Sequence, residues 1–376
     1  MHAPGSRLQR SRSRRAFLKR GLTAGAASAG MSLLAGNPVA FAEDEHNHLT
    51  RGDVAMLRFA AAAEILESDL WTQYNELGGI EDNEVPGGSG NPVYTSKLKK
   101  FDEDFPQYIH DNADDEISHF MFLNAYLMSK GAEPVNLDAF RTLPGSSATG
   151  SSGQPRLTNL TQLTIDTSWW TRYRSSADNP DLNPNFAFPP AVPGLNAGQF
   201  TAIPRTNSDL APDAHVQAIA NTAVLHMATI EQGGSSLYPS MAQRATSVEV
   251  LRIMISIGPT ETMHFQTWSD KAGAAVSMPL APLTDPTNGL TFPDLDATPF
   301  GGEDFSTNLI MPEPCPFLSR NLPKCSVIRP TETQGIAMGV VAFLSAMGLF
   351  IGQSPQFVDF MRRLATEADA AKRNRD

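Results

Sequence analysis

Glu116-Ile117-Ser118-His119-Phe120 returns later in the chain as Glu261-Thr262-Met263-His264-Phe265. On an α-helix, positions i and i+3 share a face, so each carboxylate and its imidazole can reach one point in space. The spacing alone decides little, since Glu43/His46 and Glu45/His48 also fit it inside a polar tail. Context separates the pairs. Glu116 and Glu261 lie within long apolar-periodic segments, and each follows another segment with a glutamate on its inner face. Carboxylates and imidazoles converging from apolar faces point to a metal site.

Working outward, the periodicity predicts a helix over 51–77, opened by Asp53 and ended by Gly78-Gly79. Leu57, Ala61, Glu64, Ser68 and Trp71 line one face of it, and Glu67, one turn on, is the alternative to Glu64. A second helix is expected over 106–130, from Pro106 to the stop at Gly131, carrying Glu116 and His119. His110, on the same segment, reads as a surface or supporting histidine. A third helix over 212–240 carries Glu231, with Gly233-Gly234 expected to weaken it. A fourth over 247–271 carries Glu261 and His264, with a kink expected at Pro259.

The four segments contain a repeat. Glu64, Ser68, Leu70 and Trp71 align with Glu231, Ser235, Leu237 and Tyr238, and Glu116-x-x-His119-Phe120 aligns with Glu261-x-x-His264-Phe265. Two helix pairs thus each supply a lone glutamate and then a Glu-x-x-His, which favours Glu64 over Glu67. Four carboxylates balance two divalent cations, and hard oxygen donors with two nitrogens suit Fe or Mn.

That order of ligands resembles the ferritin-like di-metal carboxylate bundle, in which such residues project into the bundle core. Trp71 stands where a tyrosine is usual in that pattern. The resemblance covers about 51–130 and 212–271 and is nearest to the exported ferritin-like proteins labelled desiccation- or stress-related. It implies an all-α fold: a ferritin-like four-helix bundle over 43–271, with long Pro-rich insertions and an additional C-terminal helix. It implies two ions, Fe or Mn, with Glu64 and Glu231 as terminal ligands, Glu116 and Glu261 bridging, and His119 and His264 binding one ion each. Tyr238 is a candidate hydrogen-bond donor or radical carrier. The function implied is redox chemistry with O2 or peroxide, of ferroxidase, peroxidase or catalase type. The alternative is a non-catalytic stress or desiccation protein with a vestigial or structural metal site.

The flanks carry further expectations. Ser13-Arg14-Arg15-Ala16-Phe17-Leu18-Lys19, an apolar run and Ala40-Phe41-Ala42 read as a twin-arginine export signal over 1–42, placing the protein in the periplasm or outside the cell. Those residues hold seven Lys/Arg and no Asp/Glu, so without them the formal charge falls from −11 to −18. Such an acidic chain repels phosphates and argues against nucleic acid as a partner. Residues 131–210, rich in Pro, Ser, Gly and Asn, read as an insertion wrapped on the bundle and anchored by Trp169, Trp170 and Tyr173. Residues 272–331 read as a Pro-rich cover with a structural disulfide between Cys315 and Cys325. Within the helical segment 332–376, the uncharged run 335–352 just reaches membrane-spanning length, but its small residues favour a fully buried fifth helix. A homodimer is compatible with this reading.

Overall fold

The computed structural model describes residues 49–172, 187–297 and 335–373, with a few positions between 312 and 326. Four long helices dominate: α1 (Arg51–Gly78), α3 (Phe105–Ser129), α6 (Asp213–Ala242) and α7 (Val248–Ala274). Short helices α2 (Pro92–Leu98), α4 (Ser168–Arg172) and α5 (Pro193–Ala197) lie in the connections, and α8 (Ile336–Ala346) and α9 (Pro355–Asp369) follow. The described strands are two-residue pairs, β1 (Leu283–Thr284) with β2 (Thr291–Phe292) and β3 (Pro312–Glu313) with β4 (Cys325–Ser326). The fold is all-α.

α1 packs along α3 and α6 along α7, which makes each half of the sequence repeat a helical hairpin. The helices of each pair differ in burial. Every residue of α6 from His215 to Glu231 is buried, and α1 is buried on nearly all sides. α3 and α7 bury one face and leave Met121, Phe122, Ile255 and Met263 exposed on the other. α1 and α6 are apolar all round because further elements cover them: α9 packs on α1, and α8 on α6 and α9.

The helix ends are tied by side chains. Thr50 Oγ1 accepts the Asp53 N–H at 3.0 Å and caps α1. Asp53 does not serve its own helix as expected. It is buried and accepts N–H bonds from Thr246 at 2.9 Å and Ser247 at 3.1 Å, fastening the start of α1 to the start of α7. α6 runs unbroken through Gly233-Gly234, and α7 runs through Pro259.

The insertion is held to α1 by two buried carboxylates. Asp69 accepts the Leu157 N–H at 3.0 Å, the Thr158 N–H at 2.9 Å and the Thr158 hydroxyl at 2.7 Å, and pairs with Arg141. Glu76 pairs with buried Arg156 and accepts the Ser152 N–H at 3.1 Å. Trp169 and Trp170 are buried, and the Trp169 indole donates to Thr229 Oγ1 of α6 at 2.9 Å. Tyr173 lies outside the described residues.

The C-terminal run departs from the expected fully buried fifth helix. α8 spans 11 residues, with Ala337 and Val341 buried and its other residues partly or fully exposed. Gly348 takes φ +89°, and the turn that follows docks on the insertion through Asn159 N–H to Leu349 O and Thr164 N–H to Met347 O, both 2.8 Å. A second helix, α9, then completes the segment, so two C-terminal helices stand where one was expected. Among the described residues, no helix is long and apolar enough to cross a membrane. Cys315 lies outside the described residues, and so does any pairing with Cys325.

Candidate metal centre

The four long helices bring six side chains to one place. Glu64, Glu116, His119 and Glu261 form one group, and Glu116, Glu231, Glu261 and His264 a second, with ligand atoms in each group within 4.8 Å of one another. Glu116 and Glu261 belong to both. His119 Nδ1 lies 2.9 Å from Glu116 Oε2, 3.2 Å from Glu64 Oε2 and 3.4 Å from Glu261 Oε1. His264 Nδ1 lies 3.0 Å from Glu116 Oε1 and 3.3 Å from Glu231 Oε2. Glu67, the alternative to Glu64, is in neither group.

Burial sharpens the problem these groups pose. The four carboxylates are 0–1 % exposed and the two imidazoles 11 %, so the pocket meets solvent on its histidine side. Among the described residues, Glu231 Oε2, both oxygens of Glu261 and His264 Nδ1 are buried without an aligned hydrogen bond. Burying such atoms costs several kcal/mol unless a charge compensates them. Carboxylate oxygens and imidazole nitrogens gathered this closely could hold metal ions.

Proton occupancy follows the same crowding. Burial pushes Glu64 up to about 7, with His119 working against the shift. Burial, with Glu116 and Glu64 nearby, raises Glu261 well above the carboxylate range. Burial raises Glu231 as well, partly offset by His264. Glu116 goes the other way: burial opposes its charge, but His264 and His119 on either side hold it well below the usual range. Both imidazoles are held protonated by the carboxylates around them, against the effect of burial. Glu67, partly buried beside the group, is raised by burial and then by the charges of Glu261 and Glu64.

Supporting residues orient the ligands. Asn112 donates to Glu116 Oε1 at 2.7 Å and Glu231 Oε1 at 3.0 Å, and its carbonyl accepts the Trp268 indole N–H at 2.6 Å. Tyr238 donates its hydroxyl to Glu64 Oε1. Gly234, four residues before Tyr238, leaves room for Glu261, because a Cβ there would stand 2.3 Å from Glu261 Oε2. The glycine read as a weak point of the helix is a clearance at the centre. His110 is buried rather than on the surface. It bonds Asp82 at 3.1 Å and Asp111 at 3.2 Å, and none of the six.

The two imidazoles differ in their second nitrogen. His264 Nε2 lies 3.2 Å from Asp115 Oδ2, whereas His119 Nε2 has no hydrogen-bond partner among the described residues. A carboxylate behind a ligating imidazole fixes its orientation and raises its basicity. If each of the two groups holds an ion, Asp115→Ala should weaken the one on the His264 side by about 10–100-fold, measured by competition with a chelator. The ion on the His119 side should shift less. Equal effects on both would refute the assignment.

Asn112, Asp115 and Trp268 were not singled out from the sequence. Asn112 precedes Glu116 by one turn and Trp268 follows His264 by one turn, so helical spacing puts both on the ligand-bearing faces. That spacing was the available signal.

A search of curated proteins and a search of solved structures find no match. The family described as Ferritin-like domain matches residues 52–273, from the second residue of α1 to near the end of α7. That span includes all six clustered side chains and more than half of the chain, and the protein belongs to the ferritin-like domain family.

Proposed function

We propose that the six side chains hold two Fe or Mn ions and that the centre carries out redox chemistry with O2 or peroxide, of ferroxidase, peroxidase or catalase type. The observation that supports this most directly is the sharing of Glu116 and Glu261 between two groups that each end in one histidine. Glu64 with His119 would complete one ion's ligands, Glu231 with His264 the other's, and the two shared carboxylates would bridge. The ions would supply a +2/+3 couple.

The chain's own part is positioning and proton control. The imidazole side of the pocket is its exposed side, which suits a small diatomic reactant. Tyr238 fixes Glu64, and Asn112 fixes Glu116 and Glu231, so the carboxylates keep their geometry when the charge between them changes. Burial and the charges of Glu261 and Glu64 raise the pKa of Glu67, which favours its protonated form. We further propose that the protein works after export, a reading supported by Arg14-Arg15 and the apolar run behind them.

Metal loading should release protons. His119, His264 and Glu261 all titrate well above their ordinary values, so they hold protons that an ion must displace. Affinity should rise with pH and fall on acidification. Calorimetric titration with Mn(II) in buffers of different ionisation enthalpy measures the release; buffer-independent heats would contradict it.

The deciding test is the metal-to-protein ratio after anaerobic Fe(II) or Mn(II) loading, followed by O2 and peroxide consumption. About two ions per chain with turnover is the expected result. A ratio near zero would overturn the reading and leave the non-catalytic alternative.

A further inference from the structure

The repeat is broken at one informative place. In the second half, Tyr238 reaches across to Glu64 of the first. The matching position in the first half is Trp71, whose indole N–H makes no hydrogen bond among the described residues. Its ring instead stacks on Trp268, with centroids 5.1 Å apart and planes 27° from parallel. Trp268 donates to Asn112, and Asn112 donates to Glu116 and Glu231. One turn along α1, Tyr74 lies 5.6 Å from Trp71, and its hydroxyl is 2.7 Å from His226 Nδ1. Trp71, Tyr74, His226 and Trp268 are all 0–1 % exposed. His226 Nε2 is buried without a hydrogen-bond partner among the described residues.

We propose that Trp268, Trp71 and Tyr74 form an electron relay from the metal centre, ending at the Tyr74–His226 pair, where an oxidising equivalent is stored as a tyrosyl radical. This rests on the redox reading above, and the oxidant is hydrogen peroxide. The chain is continuous: hydrogen bonds connect the ligand carboxylates to Trp268, and close ring approach connects Trp268 to Trp71 and Trp71 to Tyr74. Hydrogen peroxide takes up two electrons, and two protons from solvent, to give two waters. One electron would come from an Fe(II) ion held by the six side chains and the other comes from Trp268, which Trp71 then restores, and Tyr74 restores Trp71. Tyr74 loses that electron together with its hydroxyl proton, which passes to His226 Nδ1. The products are a neutral tyrosyl radical and an imidazolium, and both indoles return to their starting state.

The pair is suited to this step. A phenol is hard to oxidise unless its proton leaves at the same time, and His226 supplies an acceptor at hydrogen-bond distance. Burial lowers His226 to about 3 and raises Tyr74 well above its ordinary value, so the resting pair is a neutral phenol beside a neutral imidazole. Tyr238 is a poorer terminus, since its proton is directed at Glu64, a carboxylate of the centre.

Electron paramagnetic resonance on full-length Fe(II)-loaded protein, freeze-quenched after hydrogen peroxide and labelled with ring-deuterated tyrosine, locates the radical. A tyrosyl signal is expected in the wild type, persisting in Tyr238→Phe and absent in Tyr74→Phe. Trp71→Phe and His226→Gln should form it about tenfold more slowly or worse, with iron content unchanged. A signal that survives Tyr74→Phe, disappears in Tyr238→Phe, or is absent from iron-loaded wild type overturns the relay. If no iron binds, the proposed function fails by itself. The relay is then decided on the same protein by one-electron oxidation with azide radicals. Decay of the indolyl absorption into tyrosyl absorption, lost in Trp71→Phe and Tyr74→Phe, supports it; decay unchanged in those variants overturns it.

Discussion

On the proposed two-ion reading, Glu116→Ala should remove both ions, while Glu64→Gln and Glu231→Gln should each remove one. Glu116 approaches both imidazoles, 2.9 Å from His119 Nδ1 and 3.0 Å from His264 Nδ1. It is also the one carboxylate of the four held below its ordinary pKa, so it keeps its charge more readily than its three neighbours, whose pKa values are raised. Loss of a residue that only supports a ligand weakens metal binding by about 10–100-fold, and loss of a shared ligand should exceed that. Glu64 and Glu231 each belong to one group only. Elemental analysis of the three variants after anaerobic loading should give near zero, about one and about one ion per chain. Two retained ions in Glu116→Ala would exclude a shared carboxylate. Near zero in all three would indicate that the two ions bind only as a pair.

The ligand pattern was legible because helical spacing is a local rule. Glu-x-x-His within an apolar-periodic segment fixes two side chains on one face without any knowledge of the rest of the fold. The repeat then singled out Glu64 over Glu67, and the structure places Glu64 in the cluster. The role of Gly234 was not legible. Propensity counts glycine only as a helix weakness, whereas its value here is the space it leaves for a carboxylate on another helix. The C-terminal run failed for a related reason. Periodicity over 335–352 suggests one continuous apolar helix, but Gly348 takes a left-handed conformation and its turn docks on the insertion, a contact distant in sequence. Asp53 looked like a local cap and instead fastens α7, again a tertiary effect.

Asp69→Ala should cost stability without costing metal, and it tests whether the insertion is part of the folded unit or a detachable cover. Asp69 is on α1 but not among the clustered ligands, and it is buried. Its carboxylate accepts two backbone N–H groups and a hydroxyl from Leu157 and Thr158, as well as the Gln73 amide at 3.2 Å, and pairs with Arg141. Leu157 and Thr158 are themselves fully buried, so removing the acceptor strands their N–H groups away from water. An unsatisfied buried donor costs about 1–3 kcal/mol, and breaking a buried charge pair about 3–5 kcal/mol. Arg141 is one-third exposed and can turn to solvent, which trims the second figure. The expected loss is about 3–5 kcal/mol in urea unfolding. Asp69→Asn, which keeps one acceptor oxygen, should lose about 1–3 kcal/mol. Proteolysis should begin within 131–210 in the alanine variant, while Glu64, on the same helix, keeps its place and the ion count holds. A loss below about 0.5 kcal/mol, the range of an ordinary surface substitution, would mean that the insertion holds itself and contributes little to α1. Loss of metal together with stability would mean that the anchor and the centre form one cooperative unit through α1.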